Sequence, residues 1–347
     1  MPGSAKPGRP RANLQRDRLT AGYRARLGRA FYMFSCWHYG RSGRSVSGLL
    51  HDVAALNGAL VEFAQACYDS GKAEWLPRYA ILFCQTQNRS LKGMLKPAWD
   101  SIAAWKTIEP SQMRLPMRLE VVRALAYFGI LAGLMLEPSR YWEWLSFGIC
   151  LRVGFFGLLR PGELLDIQRS HLQLPSPGMF QTLQMALISI PNPKNRAFAA
   201  RQQMRRVKDR ATVAWLCWYI RGLPRSSALW PFGRCRFCSL LGQALGFFGM
   251  SQLGFSVGSL RAGGATWMLE TGHSLADIQF AGGWSNPRTL SHYVQEATSA
   301  MTLLSLEPHL LRRLEACLGL LDFLEFPPSV TAHVLHETWT HLRQRHC

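Results

Sequence analysis

A chain of 347 residues with 40 Lys+Arg against 21 Asp+Glu carries a net charge of +19 at neutral pH. Its length suggests about two domains, and 48% hydrophobic residues is ordinary for a chain with a real core, which excludes a wholly disordered one. The basic excess points to polyanion partners, nucleic acid first and acidic membrane surfaces second, against the plainer reading of a soluble protein that is simply basic.

Residues 1–44 form a basic arm with ten Lys/Arg and one acid, Asp17, and read as disordered. Within it Gly8-Arg9-Pro10 resembles the core of an AT-hook, but Pro7 stands where that motif has an arginine. A solvated tail, a minor-groove peptide and an Arg-rich transit peptide all fit this composition. No apolar stretch follows the basic start, so no secretory signal is read, and the nine cysteines are expected to be free thiols in a reducing compartment.

The next segment, 45–112, is expected to be a helical domain. Val53, Leu56, Leu60 and Phe63 recur at helix spacing, as do Tyr79, Leu82 and Phe83, giving a bundle of about four helices. Pro110–Pro116 reads as the linker. Residues 117–310 form a second domain, mostly helical. Its apolar runs, Ala124–Leu136 and Phe147–Leu159, are about 13 residues each, short of the roughly 20 a membrane-spanning helix needs, and read as buried helices. Leu183–Ile190 is a strand candidate and Gln203–Val207 a weaker one, with Pro191-Asn192-Pro193 turning the chain after the first. Arg225–Phe232 reads as a loop. Cys235 and Cys238 form a Cys-x-x-Cys with no second pair, so two loop cysteines are expected rather than zinc. Gly254–Gly258 precedes a helix expected to start near Ser259. Residues 311–347 read as a helical tail broken at Pro327-Pro328. In that tail His336, Glu337 and His341 are spaced one residue too far apart for a two-histidine metal helix. The fold class is mainly α with a small β-sheet or hairpin.

Chemistry concentrates in five places taken in order. Arg160 lies in GLLRPGELLDIQ with Glu163 three residues on; Lys194 follows the first strand candidate in IPNPKNR; Arg261 lies in SLRAGGAT; Trp284 ends a Gly-Gly-Trp; Tyr293 lies in LSHYVQEA. A tyrosine that attacks a phosphodiester builds up negative charge on the nonbridging oxygens. Guanidinium groups suit those oxygens because they stay charged and bind in a bidentate way. A lysine can protonate the departing oxygen, and two arginines can supply the electrostatic stabilisation without a metal.

Taken together these motifs resemble the tyrosine recombinase (phage integrase) family, across about 45–300 with the specific motifs at 154–296. The phrasing around SLRAGGAT and HYVQEA is closest to the eukaryotic mobile-element, DIRS-like branch. The resemblance implies a helical, SAM-like core-binding domain and an α+β catalytic domain that clamp duplex DNA. It implies that Arg160 and Arg261 clamp the scissile phosphate, Lys194 is the general acid, Trp284 contacts the phosphate, Tyr293 forms a 3′-phosphotyrosine, and Glu163 orients the site. Arg196, Arg201, Arg205 and Arg206 would then contact the DNA backbone. The partner is double-stranded DNA, bound as a homo-tetramer on paired sites, with no cofactor, metal, ATP or membrane. The location is the nucleus in a eukaryote, or the cytoplasm and nucleoid in a bacterium. One position departs from the pattern: Gly258 stands where the family has His or sometimes Lys, three residues before the second arginine. A helical neighbour such as His292 points about 100° away from Tyr293, and His273 is more remote.

Each residue alone has a plainer reading. Arg160 with Glu163 is a helix ion pair, Lys194 sits in a basic run, Gly263-Gly264 permits close packing, and Trp284 and Tyr293 are core or half-buried aromatics. Only the joint pattern favours the active site. The rival functions are a catalytically degenerate DNA-binding relic of a mobile element, a type IB topoisomerase-like enzyme, and a basic helical RNA- or DNA-binding protein without an active site.

Overall fold

The computed structural model describes residues 19–110, 115–135, 138–175, 184–191, 193, 203–304, 306–320 and 322–327. Lys194, Arg196, Arg201, the AT-hook-like tripeptide and His336–His341 lie outside the described residues. The described residues are mainly helical, with one small antiparallel sheet. The chain divides into two compact units, Met1–Gln112 and Met113–Cys347.

The first unit packs α1 (Ala21–Ser42), α2 (Val53–Asp69), α3 (Trp75–Gln87) and α4 (Lys96–Ile108). Helix α1 corrects the reading of a disordered arm for Ala21–Ser42; residues 1–18 lie outside the described residues. Thr20 Oγ1 accepts the Tyr23 N–H at 3.3 Å to cap its start, and Gly43, at φ +68°, closes its end. Leu27, Ala30 and Phe34 are buried; Phe34 meets Phe63 at 5.2 Å between ring centroids, and Phe31 stacks on Phe83 at 4.4 Å. Full burial of one such aromatic contributes about 1.5–3 kcal/mol. Repulsion between arginines spaced along a helix costs only a few tenths, so the apolar stripe outweighs the basic composition. Helix α2 is capped by Asp52, whose Oδ1 accepts from the N–H groups of Ala54 and Ala55 at 2.9 and 3.0 Å.

In the second unit α5 (Leu119–Met135) and α6 (Pro138–Phe156) pack along each other. Tyr127, Phe147 and Phe155 are fully buried between them and the helices around them. No helix among the described residues is long and apolar enough to cross a membrane. After α6 a sharp turn leads into the short helix α7 (Pro161–Leu165), and then β1 (Leu172–Gln173), β2 (Ala186–Ile190) and β3 (Gln203–Val207) pair antiparallel in that order. Ile188 faces Arg205 and Ala186 faces Val207 across the β2–β3 pair. On β2 Ala186, Ile188 and Ile190 are buried; on β3 Arg205 and Val207 are buried, while Met204 and Arg206 are exposed. Strand alternation therefore separates two arginines that sequence reading grouped as DNA contacts: Arg206 faces solvent, but Arg205 is 3% exposed and faces inward.

Beyond the sheet come α8 (Arg210–Tyr219), α9 (Arg234–Phe247), α10 (Val257–Glu270), α11 (Leu275–Gly282), α12 (Pro287–Ser291), α13 (Glu296–Leu304) and α14 (Pro308–Leu320). Cys235 and Cys238 are in the first turns of α9, not in a loop, because Phe237, Leu240, Leu241, Ala244 and Leu245 bury one face of that helix. Helix α10 starts at Val257, so Gly258 belongs to its first turn instead of preceding it. Helix α14 starts before residue 311 and buries Leu314 in the main core.

Candidate active site

Arg160 caps α7. Its N–H donates to Glu163 Oε2 at 3.0 Å and its Nη1 to Glu163 Oε1 at 2.5 Å. Pro161, with φ preset for a first helical position, starts the helix here and leaves Arg160 extended. The turn before it contains Leu158 at φ +48°, the one non-glycine residue with positive φ among the described residues. That conformation costs on the order of 1–2 kcal/mol. It is held because the Leu158 side chain is buried with Ala265, Ile278, Trp284 and Leu290, and because its carbonyl accepts from Arg261 Nη1.

Arg261 is held by close backbone approach. A β-carbon on Gly263 would lie 1.8 Å from Met117 O, and one on Gly264 would lie 2.2 Å from Phe155 O. The two glycines thus let α10 press against α6 and the chain before α5. Arg261 is 1% exposed. Its Nη2 donates to Gly282 O at 2.9 Å, and its Cζ stands 3.8 Å from the Trp284 ring centroid and 5.6 Å from that of Tyr293. The Nε is buried without a partner. A guanidinium has five donors, so donors remain for another acceptor.

The Gly-Gly-Trp has a physical reason at each position. Gly283, at φ +64°, ends α11, with its N–H on Phe280 O at 3.2 Å and the Trp284 N–H on Gln279 O at 3.0 Å. A β-carbon on Gly282 would fall 1.6 Å from Trp284 Cζ3, so the indole needs a glycine there. Trp284 is 5% exposed and its ring meets that of Tyr293 at 5.2 Å. Tyr293 lies on a turn between α12 and α13, not inside a helix. Its N–H donates to Leu290 O at 2.8 Å and its carbonyl accepts from Thr266 Oγ1 at 3.2 Å. The helical reason for setting His292 aside therefore falls away; His292 is exposed while Tyr293 is half-buried.

The structure thus brings Arg160, Glu163, Arg261, Trp284 and Tyr293 to one centre. It adds Arg205, whose inward orientation sequence reading missed; its alternation with the apolar Val207 was the available signal. Burial pushes the Arg261 guanidinium well below its ordinary range and the charge of Arg160 pushes it further, while Glu163 and Tyr293 oppose this. Arg205 is lowered first by burial, with Glu163 opposing and Arg160 adding. Among the described residues, Glu163 is the carboxylate that acts on both Arg205 and Arg261, against the charges of the neighbouring guanidiniums.

Two cavities lie at the start of α7, one of them lined by Arg160. One of about 310 Å³ is lined by Arg160, Glu163, Asp166, His171 and the end of β2. Another of about 290 Å³ is lined by Pro161, Arg234, Cys238, Ser256 and Gly258, so open volume adjoins Gly258. Arg234 and His171 are lining residues that sequence reading did not single out. Among the described residues no group of three or more His, Cys, Asp or Glu side chains converges to hold a metal ion.

No family model matches the chain, and no curated protein matches it in sequence. Solved structures do resemble it. XerH site-specific recombinase bound to difH substrate, in a pre-cleavage complex, is 14% identical, with 71% of this chain and 69% of that chain covered and a TM-score of 0.45. XerA recombinase is 15% identical, with 87% and 94% covered and a TM-score of 0.40. The Tn1549 transposon integrase in complex with transposon right end DNA is 10% identical, with 80% and 99% covered and a TM-score of 0.48. Likenesses this distant carry no conclusion about this chain.

Proposed function

We propose that this protein cleaves and rejoins DNA strands through a 3′-phosphotyrosine at Tyr293. The observation that carries the proposal is a buried, positively charged centre, with unpartnered Nε groups on Arg205 and Arg261, that adjoins a half-buried tyrosine. A buried cation without a partner is costly. A phosphodiester entering this centre would supply the missing negative charge, and the tyrosine beside it would supply the nucleophile.

In the proposed step the Tyr293 hydroxyl oxygen attacks phosphorus and gives up its proton to solvent, Gly258 offering no side-chain base. The P–O5′ bond breaks as the P–O(Tyr) bond forms. Lys194, four residues after the end of β2, gives a proton to the departing 5′ oxygen. Arg160 and Arg261 stabilise the nonbridging oxygens of the pentavalent transition state, with Trp284 packed behind Arg261 and Glu163 orienting Arg160. Rejoining is the reverse: a 5′-hydroxyl attacks the phosphotyrosine and frees Tyr293. Exposed Arg206, together with Arg196 and Arg201, serves as a backbone contact that makes affinity fall with salt. Assembly as a tetramer on paired sites belongs to the same proposal.

A second reading, a DNA-binding relic without catalysis, is favoured by Gly258, which offers no side chain for proton transfer or phosphate contact. Incubating the protein with nicked duplexes of randomised sequence separates the two. The enzyme reading expects a covalent protein–DNA adduct that is absent in Tyr293→Phe while DNA binding stays within about threefold. DNA binding with no adduct from the parent chain favours the relic.

A further inference from the structure

We propose that Arg205, taken from sequence as a DNA-backbone contact, is a positioning residue of the cleavage centre that packs on the Gly282–Trp284 turn and adds a third positive charge beside Arg160 and Arg261. This rests on the proposed cleavage reaction and deepens it.

Three observations support it. First, Arg205 is 3% exposed on the inward face of β3, so it is not presented on the surface as Arg206 is. Second, its guanidinium lies over Gly283: a β-carbon there would be 2.4 Å from Nη2 and 2.9 Å from Cζ and Nη1. The peptide it covers joins Gly282, whose carbonyl holds Arg261 Nη2 at 2.9 Å, to Trp284, whose ring lies under Arg261 Cζ at 3.8 Å. Arg205 thus packs on the same turn that fixes Arg261. Third, among the described residues no ion pair compensates its charge: Nη2 donates to the neutral Gln203 Oε1 at 2.8 Å, Nη1 reaches Met204 O at 3.4 Å, and Nε is buried without a partner. Among the charged groups that act on it, Glu163 is the carboxylate and Arg160 opposes.

A guanidinium held this way, in low dielectric and next to two others, raises the potential felt by an anion in the centre without needing to touch it. It also explains why glycine stands at 283 beyond the requirement of a positive φ: any side chain would displace the arginine.

The test uses the full chain and the nicked randomised duplex pool, with adduct formation measured at saturating DNA and affinity measured across salt. Arg205→Met removes the charge and fills the space. Because no carboxylate partner at ion-pair distance is left behind, this variant is expected to fold with unchanged or raised Tm. Its adduct rate at saturation should fall about 10²-fold, with affinity within threefold and the salt slope unchanged. Arg205→Lys, which keeps the charge, should recover to within about tenfold of the parent. A weakened affinity with a salt slope reduced by about one and an unchanged saturated rate would make Arg205 a backbone contact and overturn the proposal; so would a rate unaffected in both variants. If the parent itself forms no adduct, the cleavage reading fails, and the role of Arg205 is then read from orthovanadate. Vanadate should raise the Tm of the parent and of Arg205→Lys but not of Arg205→Met; an equal rise in all three overturns the proposal.

Discussion

Arg152 and Arg261 are both 1% exposed, within the same unit, yet their surroundings differ in kind. Arg152 Nη2 donates to Asp209 Oδ2 and Glu325 Oε1, each at 3.0 Å, and its Nε donates to Thr212 Oγ1 at 3.0 Å. Arg123 shares Glu325 at 3.1 Å and adds Asp322 at 2.8 Å. In that network carboxylates outnumber guanidiniums. Around Arg261 the balance is reversed: Arg160, Arg205 and Arg261 face Glu163, and the contacts Arg261 makes are to two neutral carbonyls and two aromatic rings. A buried charge is costly unless paired, so the first network completes itself and joins α6, α8 and the segment after α14. The second leaves positive charge for something outside the chain. The comparison separates an arginine kept for architecture from arginines kept for an anion.

The largest effect expected from this contrast is on stability at the first network. Arg152→Met leaves Asp209 and Glu325 short of a partner and should destabilise folding by about 3–5 kcal/mol, read as a drop in urea midpoint, with the adduct rate per folded molecule unchanged. Arg261→Lys should act chiefly on the rate. A lysine cannot bridge the Leu158 and Gly282 carbonyls in one plane, so the adduct rate should fall about 10²–10³-fold, while the urea midpoint moves less than for Arg152→Met. Similar stability losses with no difference in rate would erase the distinction. The smallest effect belongs to Gly258→His. A cavity of about 290 Å³ adjoins Gly258, and general acid–base help from a side chain is typically worth 10²–10⁴-fold where it is fully placed. A new histidine without its supporting contacts should recover only about tenfold, measured as adduct rate at saturating DNA. No gain would mean that this position is not what limits the reaction.

Much of this centre was legible in the sequence because its parts are local. RPGE gave both the arginine and the carboxylate it bonds, Gly-Gly-Trp gave a helix end with an aromatic after it, and GSLRAGG gave a helix able to approach others closely. The weaker strand, Gln203–Val207, was also visible. What stayed hidden depended on long-range burial. Arg205 and Arg206 are adjacent and chemically alike, and only the pairing of β3 with β2 decides which one turns inward. Helix α1 stayed hidden because its charge dominates its composition, although Leu27, Ala30 and Phe34 share one face. The positions of Gly258 and Tyr293 were misread for a simpler reason. Helix α10 begins two residues early, and α12 ends at Ser291 before the tyrosine is reached.

The most direct measurement is the identity of the residue bonded to DNA. Trapping the adduct on nicked duplexes, digesting it with nuclease and protease, and sequencing the nucleotide-bearing peptide by mass spectrometry should place the phosphate on Tyr293, on the 3′ side of the cleaved strand. A nucleotide mapped to any other residue, or a parent chain that binds these duplexes and yields no nucleotide-bearing peptide, would contradict the account.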